Sequence, residues 1–298
     1  MSTRINPNIL PDMIAAMDAA QQNAQNAAQQ VSTGKSVNNP GDNPAAVAAL
    51  VINDAQTSQD AQFQTNIGDL QSKFQVADSV MNSASQLLTS AISLGTQGAT
   101  GTLTTADRQS IAAQVSGLQQ QMLSLANTSY QGAYIFSGTD VTTQPFTESS
   151  SAPSGVVYNG NSAVTSVQIS QGQSVQTNLP GDQVFTNSGG NAFAALNDLA
   201  NALNSGTGIA AANTEVQNAF NQLNNQRVFY GNSLSQLQST ESFLSQDTLD
   251  LSQQQNTLIG ADLTQAVSEL SQSQTAEQAS LTATAQILNL PTLLQYLK

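Results

Sequence analysis

Residues 67–91 read IGDLQSKFQVADSVMNSASQLLTSA. Through that stretch Ile67, Leu70, Phe74, Ala77, Met81, Ala84, Leu88 and Ala91 recur at gaps of three and four in strict alternation. Such spacing lays them on one stripe of an α-helix and makes the stretch a heptad seam. A second seam stands far along the chain. Val216, Phe220, Leu223, Arg227, Tyr230, Leu234, Leu237, Glu241, Leu244, Thr248, Leu251, Gln255 and Leu258 keep the same alternation almost throughout. Helical from 210 to 259, it would be about 75 Å long at ~1.5 Å per residue. A helix of that length outruns a small globular core and belongs in a rod. The two helical halves are distant in sequence and need each other to bury their stripes.

Working outward, the first seam stops at Gly95, and the Gly/Thr-rich stretch 95–103 predicts a turn between antiparallel helices. Thr104 and Asp107 have the spacing of a capping box for a third helix, striped by Ile111, Val115, Leu118, Met122 and Leu125. Around Asn127 the pattern changes. Tyr130 to Gly138 is aromatic and β-branched between glycines and predicts a strand. From 139 to about 190 the chain is β-like. Val156-Val157-Tyr158, Asn159-Gly160 and the run 164–169 predict a hairpin with a type I′ turn. Gln171-Gly172 before Ser174-Val175 predicts another, and 149–155 a Ser/Pro/Gly surface loop. Helix returns at Ala192 with Phe193, Leu196, Leu199 and Leu203, and breaks at 205–208.

Both ends are amphipathic and polar. Leu10, Met13, Met17, Ala20, Ala24, Ala27 and Val31 form one stripe; Ile259, Leu263, Ala266, Leu270, Leu281 and Leu288 form the other. Pro40, Gly41 and Pro44, with three asparagines nearby, break the chain after the first. A helical pattern resumes at Ala45 with Val47, Leu50 and Val51, and Gly260 with Asp262 marks a joint before the last helix. The expected fold is mainly α with a β insertion: a long antiparallel bundle or coiled-coil rod built from both chain ends, plus a small mid-chain β module at its far end. Its expected parts are 1–44 (paired with 260–298), the rod halves 45–138 and 191–259, and the module 139–190. An isolated terminal helix this rich in Gln, Asn, Ser and Ala is marginal in water. Roughly the first and last 35 residues are therefore expected to be disordered in the free monomer and to order on assembly.

Composition narrows the function. Charged residues make up 8% of the 298, the net charge is −13, and there is no His, Cys or Trp. With six Lys plus Arg and no basic cluster, nucleic acid and anionic membranes are poor partners. No apolar run approaches the roughly 20 residues of a membrane helix, and no basic-then-apolar leader opens the chain. Without His and Cys the usual general base, thiolate nucleophile and metal ligands are missing, so no enzyme and no cofactor is expected. Asp42 within Gly41-Asp42-Asn43 supplies one carboxylate, too few for a Ca²⁺ loop, and reads as a solvated turn. Asn127-Thr128-Ser129 matches a glycosylation acceptor, a short and common pattern. The Met and Leu stripes read as packing, because nothing polar converges beside them.

Several stretches carry a resemblance. Residues 32–46, STGKSVNNPGDNPAA, resemble a segment of the flagellin-like hook-associated proteins. Residues 101–108, GTLTTADR, are similar to that family's helix opening, and 130–139, YQGAYIFSGT, to its strand. Tyr158-Asn159-Gly160-Asn161, Gly181-Asp182-Gln183-Val184-Phe185, Ala261 to Ala266 and the ending Leu293-Leu294-Gln295-Tyr296-Leu297 also match, in order. Ser36 and Asn43 depart from the family's frequent Arg and Asp. The resemblance implies a structural adaptor that joins the bacterial flagellar hook to the filament. It implies export through the flagellar type III apparatus with a chaperone, extracellular assembly into a ring, and contacts with a neighbouring hook-associated protein and with flagellin. The expected assembly seam is Leu10, Met13, Met17, Val31, Leu263, Val267, Leu270, Leu281, Leu288, Leu293 and Leu294. A flagellin filament subunit is the alternative, and a secreted coiled-coil stalk or adhesin the second.

Overall fold

The computed structural model describes residues 9–288. In chain order the elements are α1 (Ile9–Thr33), α2 (Pro44–Gly98), α3 (Thr105–Ala126), β1 (Ser129–Tyr130), β2 (Ala133–Tyr134), β3 (Phe146–Glu148), β4 (Val156–Tyr158), β5 (Ser166–Ser170), β6 (Gln173–Gln176), the single-turn α4 (Gly181–Val184), β7 (Thr186–Asn187), β8 (Gly190–Asn191), α5 (Ala192–Ser205), α6 (Ile209–Ile259) and α7 (Leu263–Leu288). The chain divides into two compact units: 1–58 with 247–298, and 59–246. Each draws on both halves of the sequence, as the paired stripes predict.

In the unit 59–246, α2 and α6 run antiparallel. Every member of the 67–91 stripe is buried, and Val216, Leu223, Tyr230, Leu237 and Leu244 are buried on α6. Polar links recur along the pair: Asn213 Nδ2 to Thr96 Oγ1 at 3.3 Å, Ser85 Oγ to Asn224 Oδ1 at 3.3 Å, and Gln71 Nε2 to Glu241 Oε2 at 2.7 Å. Arg227 occupies a seam position and clamps α2 from there. Its Nε and Nη2 donate to the two carboxylate oxygens of Asp78 at 2.6 and 3.0 Å, and Nη1 donates to Asn82 Oδ1 at 2.9 Å. The planar fork suits that bidentate geometry. The two side chains are 34% and 32% exposed, so the pair is worth no more than about 1 kcal/mol and acts chiefly on register.

α2 continues to Gly98, past the expected stop at Gly95. Gly95 lies under the Asn213 side chain, which occupies the space a Cβ would need. The glycine there serves close helix approach, not a turn. The capping box forms as expected: Thr104 N–H donates to Asp107 Oδ2 at 3.1 Å, and Asp107 N–H donates to Thr104 Oγ1 at 3.2 Å. α3 returns along α2 and packs on α5, burying Ile111, Val115 and Met122 against Phe193, Leu196, Leu199 and Leu203. Leu203 lies beside Gly98, and Arg108 beside Gly206, so the turns at 99–104 and 205–208 form one end of this unit. The β module therefore does not sit at that end. The 22 residues of α3 carry the chain about 33 Å back along α2 before β1 begins. Asn66 on α2 accordingly donates to Gln168 O of β5 at 3.1 Å.

The module is four separate antiparallel pairs: β1–β2, β3–β4, β5–β6 and β7–β8. Pairing starts at Ser129. The single strand read over 130–138 is instead the tight hairpin β1–β2, because Gln131 (φ 51) and Gly132 (φ 81) both turn left-handed. The Asn159-Gly160 hairpin is also corrected. β4 pairs with β3 across the 149–155 loop, while β5 pairs with β6 through Gln171-Gly172, the second turn expected. Asn159 N–H donates to Pro145 O and Asn161 N–H to Ser137 O, so 159–161 runs on as a connection. The module's centre is aromatic. Phe185 meets Phe136 and Phe146 edge-on at 5.1 and 5.7 Å, and Phe146 meets Phe193 of α5 at 5.2 Å. Edge-to-face rings of this kind add to burial by about 0.5–1.5 kcal/mol per pair.

Phe185→Ala is expected to destabilise this unit by about 3–5 kcal/mol, measured by urea unfolding, because it empties the ring cluster. A second outcome concerns alkaline pH. The Tyr158 hydroxyl lies 3.0 Å from both Phe136 O and Asn161 O, and its pKa is pushed up to about 12 by burial, with Asp182 adding to the rise and the Gly181 N–H opposing it. The fold prefers the neutral phenol. This contribution is complete below the unfolded value near pH 10 and is lost as pH climbs toward 12. Burial pushes Tyr230 upward as well. Thermal melts from pH 9 to 12 should fall steadily, and less steeply in Tyr158→Phe.

Candidate assembly surface

The unit 1–58 with 247–298 holds the candidate surface. Its helices are cut at matching places. α1 ends at Gly34 in the left-handed region (φ 69), and α2 restarts with Pro44 after Asn43, whose Oδ1 accepts from Ala46 N–H at 3.1 Å. α6 ends before Gly260, and Asp262 caps α7 as expected, accepting from Thr264 and Gln265 N–H at 2.9 and 3.1 Å. Between α1 and α2, Asp42 Oδ2 accepts the N–H groups of Asn38 and Asn39 at 3.0 and 2.8 Å. Asp42 is thus the keystone of an ordered loop.

α1 and α7 pair antiparallel. Ala27 and Ala266 are the buried members of the two helices among the described residues. Half-buried Met13, Met17, Ala20, Ala24 and Val31 share the α1 stripe with Ala27. On α7 the covered stripe is Ala266, Leu270, Ser273, Glu277, Ser280 and Thr284. Small side chains let the axes come close. An open groove of about 690 Å³ runs between them, lined by alanines and by Asn23, Asn26, Gln30, Glu269 and Gln272.

Of the expected assembly residues, Met13, Met17, Val31 and Leu270 fall on this internal seam. Leu263, Val267 (52% exposed) and Leu281 (51% exposed) face away from it. The α7 stripe read from sequence as one face is two adjacent faces, the inner one mostly small or polar and the outer one carrying large apolar side chains. Leu10 and Leu288 lie on α1 and α7 with side chains outside the described set, and Leu293 and Leu294 lie outside the described residues. Reading by stripes missed other exposed apolar groups: Ile14, Ile52 (72% exposed) and Leu249 in this unit, and Val228 and Phe243 (63% exposed) in the other. The sequence signal was available: each is apolar and lies off its helix's seam. Large exposed apolar groups mark contact surfaces.

Other candidates resolve into structure. Asn127 Nδ2 donates to Phe146 O and its Oδ1 accepts Phe146 N–H, both at 2.9 Å, so the acceptor-like Asn127 pins β3 to the end of α3. Among the described residues, no group of three or more acidic, His or Cys side chains could hold a metal, and no helix is long and apolar enough to cross a membrane.

Known proteins share this arrangement. Residues 5–141 match the bacterial flagellin N-terminal helical region, and 214–297 match the bacterial flagellin C-terminal helical region. Flagellar hook-associated protein 3 of Escherichia coli is 28% identical over 271 residues, covering 82% of this chain and 84% of its own length. The structure of a chain described as a flagellar hook-associated protein of Vibrio parahaemolyticus superposes with a TM-score of 0.66 at 22% identity, covering 74% of this chain and 100% of that one. The flagellar junction protein FlgL of Legionella pneumophila does so with a TM-score of 0.62 at 17% identity, covering 72% and 100%.

Leu281→Ser, on the outer face, is expected to leave the monomer within about 0.5 kcal/mol of wild type. Ala266→Leu, in the inner seam, should cost about 1–3 kcal/mol by overpacking. Amide exchange across α1 reads both. The two matched regions take in both chain ends and both helical halves, and the chain belongs to the flagellin family, as a structural subunit and not an enzyme.

Proposed function

We propose that this chain is a structural adaptor joining the flagellar hook to the filament. The observation that carries the reading is the divided character of α7. Leu263, Val267 and Leu281 are exposed on a face that α1 does not cover, so the pair built from the two chain ends is only half satisfied within one chain. A helix face of that kind gains by meeting the same helices in neighbouring subunits. Self-association into a ring follows, with Leu10, Met13, Met17, Val31, Leu263, Val267, Leu270, Leu281, Leu288, Leu293 and Leu294 as the assembling set and 1–44 with 260–298 as the assembling part. The likeness to hook-associated protein 3 and to FlgL supports a neighbouring hook-associated protein on one side and flagellin on the other.

The thin α1–α7 seam supports coupled folding. Two buried alanines contribute little apolar area against the ordering entropy of two long helices. The pair forms weakly within one chain and gains most of its stability when neighbours cover the outer face. The chain would travel through the flagellar type III apparatus, accompanied by an export chaperone, and take up its place outside the cell.

Immunogold electron microscopy of intact cells tests the reading. Label confined to the hook–filament boundary is expected. Label along the whole filament would make the chain a flagellin, and label away from flagella would make it a secreted stalk protein.

A further inference from the structure

We infer that a backbone bridge at the root of the α1–α7 pair sets the register of the two helices. The breaks after α1 and after α6 are stitched together. Ser36 N–H donates to Ile259 O at 2.7 Å, Ala261 N–H donates to Gly34 O at 3.0 Å, and Lys35 and Gly260 form an antiparallel β-bridge. The segments behind it are held firmly. Thr33 Oγ1 donates to Asn38 Oδ1 at 2.8 Å, Asn38 Nδ2 donates to Lys35 O at 2.9 Å, and Asp42 gathers the N–H groups of Asn38 and Asn39.

The seam beyond the bridge discriminates poorly among registers. It repeats alanine on α1 at 20, 24 and 27, and small or polar residues on α7 at 266, 273, 280 and 284. Sliding such a seam by one heptad exchanges similar side chains at most positions, and its larger members, Met13, Met17, Val31 and Leu270, are only half-buried, so they hold the alignment weakly. Contacts that occur once, at one end, then decide the alignment. The bridge is such a contact, and it also makes α1 and α7 move together, because neither can shift while both donors are engaged. The alignment itself needs no assembled partner. Its consequence for assembly rests on the proposed function: Ile14 on α1 and Leu263, Val267 and Leu281 on α7 stand in one spatial order only while the register holds.

The chain has no cysteine, so paired nitroxide labels can be placed uniquely. Ala19→Cys and Gln272→Cys put one label on each wall of the groove. Electron–electron distances are then measured in the full-length monomer. Wild type and Ser36→Ala, which keeps the N–H, should give one narrow distance. Ser36→Pro and Ala261→Pro, each removing one donor, should broaden it. The double variant should add a population displaced by about 10 Å, one heptad at ~1.5 Å per residue. Circular dichroism and urea unfolding of the same samples report whether the helices and the unit 59–246 persist. An unchanged narrow distance in the double variant, with helix content kept, would overturn the inference. So would complete loss of the α1 and α7 helices in the single variants, since the bridge would then hold the pair together and not align it. Filament-junction labelling that fails while the distances behave as expected would count against the proposed function alone.

Discussion

The antiparallel pairing of α2 with α6 is the constraint on which the rest of the central unit depends. It closes an excursion of well over a hundred residues, and loop closure of that length costs several kcal/mol before any contact forms. The apolar stripe opposite Val216, Leu223, Tyr230, Leu237 and Leu244 offsets it by burial. Burial alone leaves the alignment soft, because a heptad stripe can slide. Arg227 on Asp78 and Asn82, Ser85 on Asn224 and Asn213 over Gly95 occur once each and remove that freedom.

Once α2 and α6 are aligned, the excursion between them has little choice. The capping box at Thr104 starts α3 back along α2, and the left-handed Gly206 turns α5 into α6. The chain between α3 and α5 must then fold where α3 ends, beside the helices and away from their turns. Four two-stranded pairs cannot bury a core by themselves. Phe136 packs on Phe185, and Phe146 and Phe185 both meet Phe193 of α5, so the module borrows its interior from the bundle.

The terminal unit uses the opposite strategy. Its seam is mostly small or polar, and several of its larger apolar groups are exposed. A monomer built for its own stability would turn Leu263, Val267 and Leu281 inward. Their outward placement is a local conflict between one-chain folding and burial, of the kind expected where a protein awaits a partner. The Ala-rich seam and the backbone bridge are complementary: the first allows close approach, the second supplies the alignment that alanines do not.

The helices and their buried faces were legible in the sequence because periodicity at three and four is a local property that tertiary contacts only confirm. The 67–91 stripe, the capping box at Thr104 and the joint at Asp262 all follow from residue type and spacing. Tertiary structure decided what periodicity does not encode. Gly95 reads as a stop until Asn213 is known to fill the space above it. Asn159-Gly160 reads as a hairpin turn until β4 finds β3 in place of β5. The α7 stripe reads as one face, because leucines two turns apart are close on a helical wheel; only the position of α1 divides it into a covered face and an open one. The bridge from Gly34 and Ser36 to Ile259 and Ala261 left no trace in side-chain pattern, since it is made by backbone groups that every residue carries.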